Sequence, residues 1–247
     1  MPTLRDHPGN DRVQSIILGE SGSGKTGLLS TLANAGYRLA VLDFDNGLDI
    51  LKNGGYLKGD AADRIFFETL ATDDPASIEH MQKLINEWPG LGALTTWGAK
   101  DVLVIDSGTF MSNAMEIYCE KRKGPFKDPR QLMGACKEAL CTLFEFLRGP
   151  KVRCNVIVNT HLRFVENDQG IQKAYPSFIG QAFPRIAGSY FNNMWRIDVK
   201  PGPDGTRVIR TRADSVTALK CSAPNAVKVE EPFDLASLFS KIKGETK

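Results

Sequence analysis

Short apolar bursts alternate with stretches of helical period along most of the chain. Val13–Leu18 is one such burst and ends at a glycine; Arg38–Phe44, Arg64–Phe67, Val102–Ile105 and Val156–Val158 follow, each of strand length and rich in branched side chains. Bursts that do not alternate with polar positions belong to strands buried on both faces, and the intervals between them have room for crossover helices. Leucines at helical spacing run from Thr26 to Ala35 and stop at Gly36. From Arg130 to Arg148, Leu132, Cys136, Ala139, Leu140, Leu143, Phe144 and Leu147 recur every three or four residues, behind an Asp128-Pro129 cap and before a Gly149-Pro150 stop. After Val158 the pattern changes. Met194–Val199 and Arg207–Thr211 flank the turn-rich Pro201–Gly205, which predicts a β-hairpin, and Phe233–Phe239 predicts a short terminal helix. The expectation is one α/β domain, a mostly parallel twisted sheet flanked by helices with a C-terminal β-hairpin. A short polar arm (1–12) precedes the core (13–240), and a polar tail (241–247) follows it.

Composition narrows the classes without choosing among them. In 247 residues, 31 Lys+Arg stand against 29 Asp+Glu, a net charge of +2 that argues against a histone-like binder or an acidic tail. The first residues are polar, with no apolar stretch of signal-peptide length, and no run approaches the roughly 20 apolar residues needed to cross a bilayer. Five cysteines without a C-x-x-C pair and three dispersed histidines make a structural zinc site improbable. These features predict a reduced, cytoplasmic protein without membrane association.

Candidate chemistry begins at Gly19-Glu20-Ser21-Gly22-Ser23-Gly24-Lys25-Thr26, a complete G-x-x-x-x-G-K-[ST] between a predicted strand and a predicted helix. Glycines let successive N–H groups converge on phosphates, and the helix N-terminus adds partial positive charge. In this pattern Lys25 reaches the β/γ-phosphates and the Thr26 hydroxyl ligates Mg²⁺. Asp106 ends the apolar strand Val102–Ile105. A carboxylate there is costly to bury unless paired, and the Mg²⁺ shared with Thr26 is its natural partner. Asp43 and Asp45 end Val41–Asp45, and Asp45 is placed beyond the sheet's carboxyl edge, where it could orient and deprotonate an attacking water. A solvated turn aspartate is the alternative for Asp45.

In this order, the phosphate loop, Val-Leu-Asp-Phe-Asp-Asn-Gly-Leu-Asp (41–49), Val-Ile-Asp-Ser (104–107) and Val-Asn-Thr-His-Leu-Arg (158–163) resemble the ATPase core of the RecA-type recombinases, from about Val13 to Leu238. The size is most similar to the core-only phage proteins of the single-strand annealing Sak group, and to phage proteins described only as nucleotide-binding. The resemblance implies a RecA-like P-loop fold, ATP and Mg²⁺ as cofactors, and no room for a recombinase's separate terminal domain. It places Asp45 at the water-activating carboxylate, as Asp where RecA has Glu. His161 falls at the amide that senses the γ-phosphate, with a satisfied core or turn histidine as the alternative. Asp49 falls near an adenine contact, and Lys220 at one of the lysines that neighbouring subunits insert into the site. Ser222 stands where a second such lysine is found.

RecA-like cores hold single-stranded DNA with two loops. The first would be Glu120–Arg130, where Lys121, Arg122, Lys123, Lys127 and Arg130 oppose two acids and Phe126 offers a stacking face. The second would be Arg163–Phe178, a long mobile loop carrying Arg163, Phe164, Lys173 and Tyr175. Either segment alone reads equally as solvated surface; the resemblance implies that both leave the sheet edge that holds the ATP site.

Together these features predict a slow, DNA-modulated ATPase that binds single-stranded DNA and promotes annealing or strand pairing as a homo-oligomer, a ring or filament, with a single-strand-binding protein as a further partner. The alternative is a nucleotide switch acting on a protein partner of replication. A small-molecule kinase is a weaker third reading, because no arginine lid follows the phosphate loop.

Overall fold

A computed structural model describes residues 11–166, 170, 172–203 and 205–245. The first ten residues of the polar arm, Asp204 of the hairpin turn and the last two residues of the tail lie outside them, as do 167–169 and 171. One eight-stranded sheet organises the chain. Its strands are β1 (Gln14–Leu18), β2 (Arg38–Asp43), β3 (Ile65–Thr69), β4 (Asp101–Asp106), β5 (Asn155–Thr160), β8 (Asn193–Val199), β9 (Arg207–Arg210) and β10 (Glu230–Pro232), in the order β10-β9-β8-β1-β5-β4-β2-β3. From β8 to β3 every pairing is parallel; β8–β9 and β9–β10 are antiparallel. A separate antiparallel hairpin, β6 (Leu162–Glu166) and β7 (Gln172–Pro176), follows β5.

The unalternating apolar runs become central strands because both faces of the sheet are covered. Ile16, Leu18, Leu42, Leu103, Ile105, Val156 and Val158 pack on the face carrying α3 (Ala76–Asn86), α4 (Gly108–Lys123) and α5 (Pro129–Arg148). Their strand neighbours Ile17, Leu39, Val41, Val102, Val104 and Ile157 pack on the other face, against α1 (Lys25–Asn34) and α7 (Leu235–Lys243). On the first face Phe144 of α5 meets Phe178, Phe183 of α6 (Ala182–Ala187), Tyr190 and Phe191, with ring centroids 5.1–5.9 Å apart.

Asp128 caps α5 by accepting from Arg130 N, with Pro129 in the first turn, as the sequence predicts. Three expectations need correction. The segment Glu120–Arg130 is not a loop throughout: α4 continues to Lys123, because Met111, Ala114, Met115 and Cys119 give it a buried stripe. Within Arg163–Phe178 the described residues are not an open loop: Leu162–Glu166 and Gln172–Pro176 pair as the β6–β7 hairpin, and 167–169 and 171 lie outside the described residues. Ala174 N donates to Val216 O, and Phe178 belongs to the core. Finally, the terminal helix runs through Lys243 into the predicted tail, because Leu238, Phe239 and Ile242 are buried against α1 and the sheet. No helix among the described residues is long and apolar enough to cross a membrane.

Candidate nucleotide site

Parallel strands end at one edge, so the segments leaving β1, β2, β4 and β5 meet there. The glycine loop leaves β1, and Gly19 N donates to Thr160 O of β5. Gly22 (φ +76°) and Gly24 (φ +97°) take the left-handed backbone that turns the chain into α1. Lys25 is buried and donates through Nζ to the carbonyls of Gly19 (3.0 Å) and Glu20 (2.9 Å). Burial lowers its pKa, and Asp106 and Asp45 oppose that shift.

Thr26 Oγ1 donates to Asp106 Oδ2 at 2.7 Å. Enclosure at the end of β4 raises the Asp106 carboxyl to about 6, against the stabilising pull of Thr26 and Asn159. Its second oxygen, Oδ1, is buried beside the Asn159 amide without a well-formed hydrogen bond. Ser23 Oγ and Thr160 Oγ1 are likewise buried without partners. Hard oxygen donors with a carboxylate oxygen to spare are the donor set Mg²⁺ prefers, so Thr26 and Asp106 fit that ion.

Asp43 and Asp45 do different work. Asp43 is buried, its pKa raised by burial, and Oδ1 accepts from the N–H groups of Asp45 and Gly47 at 3.3 Å each. It therefore fixes the turn that projects Asp45, while Phe44 N and Asp45 N bond to Asp106 O and tie that turn to β4. Asp45 Oδ2 lies 3.9 Å from His161 Nε2. His161 is held by its own N–H on Thr109 Oγ1 (3.0 Å) and by the edge of Phe110. Burial, then Lys25, lowers its pKa, and Asp45 counteracts.

Lys25, Thr26, Asp45 and His161 thus surround one cavity of about 250 Å³, together with Ser21, Gly22 and Gly24. Ile50, Tyr56, Arg207 and Phe233 complete its lining, none of them a residue the sequence pattern marks for a site. Only their place in the fold assembles them: Arg207 and Phe233 come from the C-terminal strands and the turn after β10. Glu20 lines a neighbouring cleft, and Asp49, the first residue of α2 (Asp49–Asn53), lies outside the cavity lining. Lys220 is not among the lining residues either; its backbone is bridged to Met194 on β8 in both directions.

The basic segments separate. Lys121, Arg122 and Lys123 form the last turn of α4, whose 16 residues carry them about 24 Å from the end of β4. There Arg122 pairs with Glu79 of α3 at 3.0 Å, Lys127 and Arg130 are exposed, and Phe126 is half-buried. In the hairpin, Arg163 is bonded to Gly180 O and Lys173 to Ser215 O, while Tyr175 is half-buried. Phe164 is 51% exposed and faces, across a cleft beside the glycine loop, Glu20, Ser23, Lys200 and Arg210. The expected common edge holds for the hairpin and not for the end of α4.

No protein-family model and no curated protein matches the sequence. Among solved structures the chain is similar to a prototypical ATPase from the type III secretion system of pathogenic bacteria, with a TM-score of 0.50 and 17% identity, over 75% of this chain and 52% of that one. It therefore spans about half the length of that ATPase. Other similar structures are the RadB recombinase (TM-score 0.47, 19% identity, 83% of this chain and 84% of that one) and EscN. EscN is the assembled type III secretion ATPase of enteropathogenic E. coli, solved with its central stalk EscO (0.48, 16%, 76% and 42%). At these identities the likeness is one of fold: a RecA-like P-loop arrangement, with a mostly parallel sheet between helices and antiparallel strands at its C-terminal edge.

Proposed function

We propose that the chain is a Mg²⁺-dependent ATPase that couples nucleotide state to its grip on single-stranded DNA and promotes annealing or strand pairing. The observation that carries the nucleotide half is the 2.7 Å contact between Thr26 and Asp106 beneath a complete glycine loop. In this reading Thr26 and Asp106 hold Mg²⁺, which when bound offsets charge on the phosphate chain. Backbone N–H groups of residues 21–26 and Lys25 bind and orient the triphosphate. Asp45, projected by the turn that Asp43 anchors, accepts a proton from the attacking water as the water oxygen bonds to the γ-phosphorus and the bond from that phosphorus to the β–γ bridging oxygen breaks, releasing ADP and phosphate. Aspartate is one methylene shorter than the glutamate of RecA, which favours slow turnover. His161, at the root of the β6–β7 hairpin, links the terminal phosphate to the exposed Phe164.

The DNA half rests on Phe164 and on the basic turn at the end of α4, a stacking face and a cationic patch of the kind that track a single strand. The test is DNA-stimulated ATPase activity of wild type against Lys25→Ala, with a parallel oligonucleotide titration. The reading expects stimulated turnover in wild type alone. Turnover indifferent to DNA, with no oligonucleotide retained, would transfer the proposal to a switch acting on a protein partner.

A further inference from the structure

Arg207 opens β9, two strands away from β1, yet its side chain reaches back to the glycine loop. Nε donates to Ser23 O at 3.0 Å and Nη2 to Gly22 O at 3.5 Å, with the guanidinium 6.0 Å from the Phe233 ring centroid. Gly24 makes this approach possible, since a Cβ there would come within 3.0 Å of both Arg207 Nε and Phe233 Cζ. The loop whose N–H groups face the phosphate position is thus backed on its carbonyl side by a cation from the same chain. That cation borders the same cavity as Lys25, Thr26, Asp45 and His161.

Charge makes the contact more than a brace. Asp45 lines the cavity and Asp106 lies behind Thr26, with Asp43 buried in the turn beneath them, and Lys25 is the cation the phosphate-loop pattern provides. A nucleoside triphosphate adds about four negative charges and Mg²⁺ removes two, so one lysine leaves the assembly strongly anionic. A guanidinium with five N–H donors can bond two loop carbonyls and still present donors to phosphate oxygens. We propose that Arg207 is a nucleotide-contacting residue supplied in cis, which neutralises phosphate charge within a single subunit where oligomeric ATPases draw that charge from a neighbour. The proposal rests on the nucleotide-binding reading above and goes beyond it by making each subunit's cationic set complete.

The test titrates a fluorescent ATP analogue, with Mg²⁺, into wild type, Arg207→Ala, Arg207→Gln and Arg207→Lys, with nucleotide-free melting curves for each. It adds turnover measurements on mixtures of Arg207→Ala with Lys25→Ala. Removing a charge-assisted hydrogen bond should weaken binding roughly 10- to 100-fold in Arg207→Ala and Arg207→Gln. Arg207→Lys, which keeps the charge but not the two-carbonyl fork, should stay within about fivefold of wild type. The mixtures should turn over no faster than the sum of their parts. Wild-type affinity in Arg207→Ala would overturn the proposal. So would a series in which Gln retains binding and Lys loses it, the mark of a neutral brace, or activity restored by mixing, the mark of action in trans. If Arg207→Ala does not fold, the Gln and Lys pair decides. Wild type that binds no triphosphate at all would instead sink the nucleotide-binding reading, and this inference with it.

Discussion

Asp106 is enclosed at the end of a buried strand, with one oxygen bonded to Thr26, and at neutral pH its charge weakens the fold that holds it. Its carboxyl is raised to about 6, against roughly 3.9 in an unfolded chain, so the folded state holds the proton more tightly. The stability this group contributes is greatest below the unfolded value and is lost as pH rises through the folded one. By pH 8 the loss amounts to roughly 3 kcal/mol at most. Asp106→Asn should therefore melt several degrees above wild type at pH 8 without nucleotide, with the gap closing near pH 4. If Asp106 holds Mg²⁺ as proposed, ATP with Mg²⁺ should raise the melting point of wild type and not that of the variant. Calorimetry at both pH values, with and without nucleotide, checks both effects, and a less stable Asp106→Asn at pH 8 would contradict the account. His161 tests the link outward. With its backbone pinned by Thr109, His161→Ala should leave ATP affinity within a few-fold of wild type while abolishing the ATP dependence of DNA affinity, measured by fluorescence anisotropy in both nucleotide states.

The C-terminal hairpin is held by charge as well as by backbone. Arg196 on β8 pairs with Asp198 at 2.6 Å and Asp214 at 2.7 Å, and Arg210 on β9 pairs with Asp198 at 2.7 Å and Glu230 at 2.8 Å. Burial pushes Asp198 upward, but Arg196 and Arg210 outweigh it and hold the carboxyl below its ordinary value; Asp214 is lowered as well. Stability from such depressed acids is present above the unfolded aspartate value and is lost as pH falls through the folded ones, that is, below about pH 4. Asp198→Asn should cost about 1–2 kcal/mol at pH 7 and nothing at pH 2, read from urea midpoints. An equal cost at both pH values would point to packing instead. This hairpin was legible in the sequence because a Pro/Gly turn separates two apolar runs, and the central strands because burial on both faces leaves uninterrupted Val, Ile and Leu. The β6–β7 hairpin was not: it lies off the main sheet, keeps Phe164 in solvent, and is tied down by Val216, a distant partner with no sequence signal. Helix α4 was not legible either, because its buried stripe is built of Met, Ala and Cys, too weakly apolar to stand out. The residues of the phosphate loop were legible because a glycine pattern with a lysine is local. Arg207 and Phe233 reach the same cavity only through the order of strands at the sheet's far edge.

Across the whole molecule, the parallel sheet gathers the glycine loop, Asp45, Asp106 and His161 at one edge and hangs the β6–β7 hairpin directly from it. The basic turn of α4 stands about 24 Å off, on the face covered by α3 and α5. A single strand that engaged both would have to reach from Phe164, beside the glycine loop, to Lys121, Lys123 and Lys127 at the end of α4. Those lysines are exposed, and each bound phosphate would release counterions from the strand. Replacing the three with Gln should therefore lower the slope of log affinity against log salt by about 2, at roughly 0.7 for each phosphate no longer neutralised. Phe164→Ala should instead cost about 1–3 kcal/mol of DNA binding with the slope unchanged, since stacking releases no counterions. The two variants separate the possible paths of the strand. A changed slope with no effect of Phe164→Ala would move the strand to α4 alone, away from the nucleotide. The reverse would confine it to the hairpin, within reach of His161, and there the coupling between the terminal phosphate and DNA would be shortest.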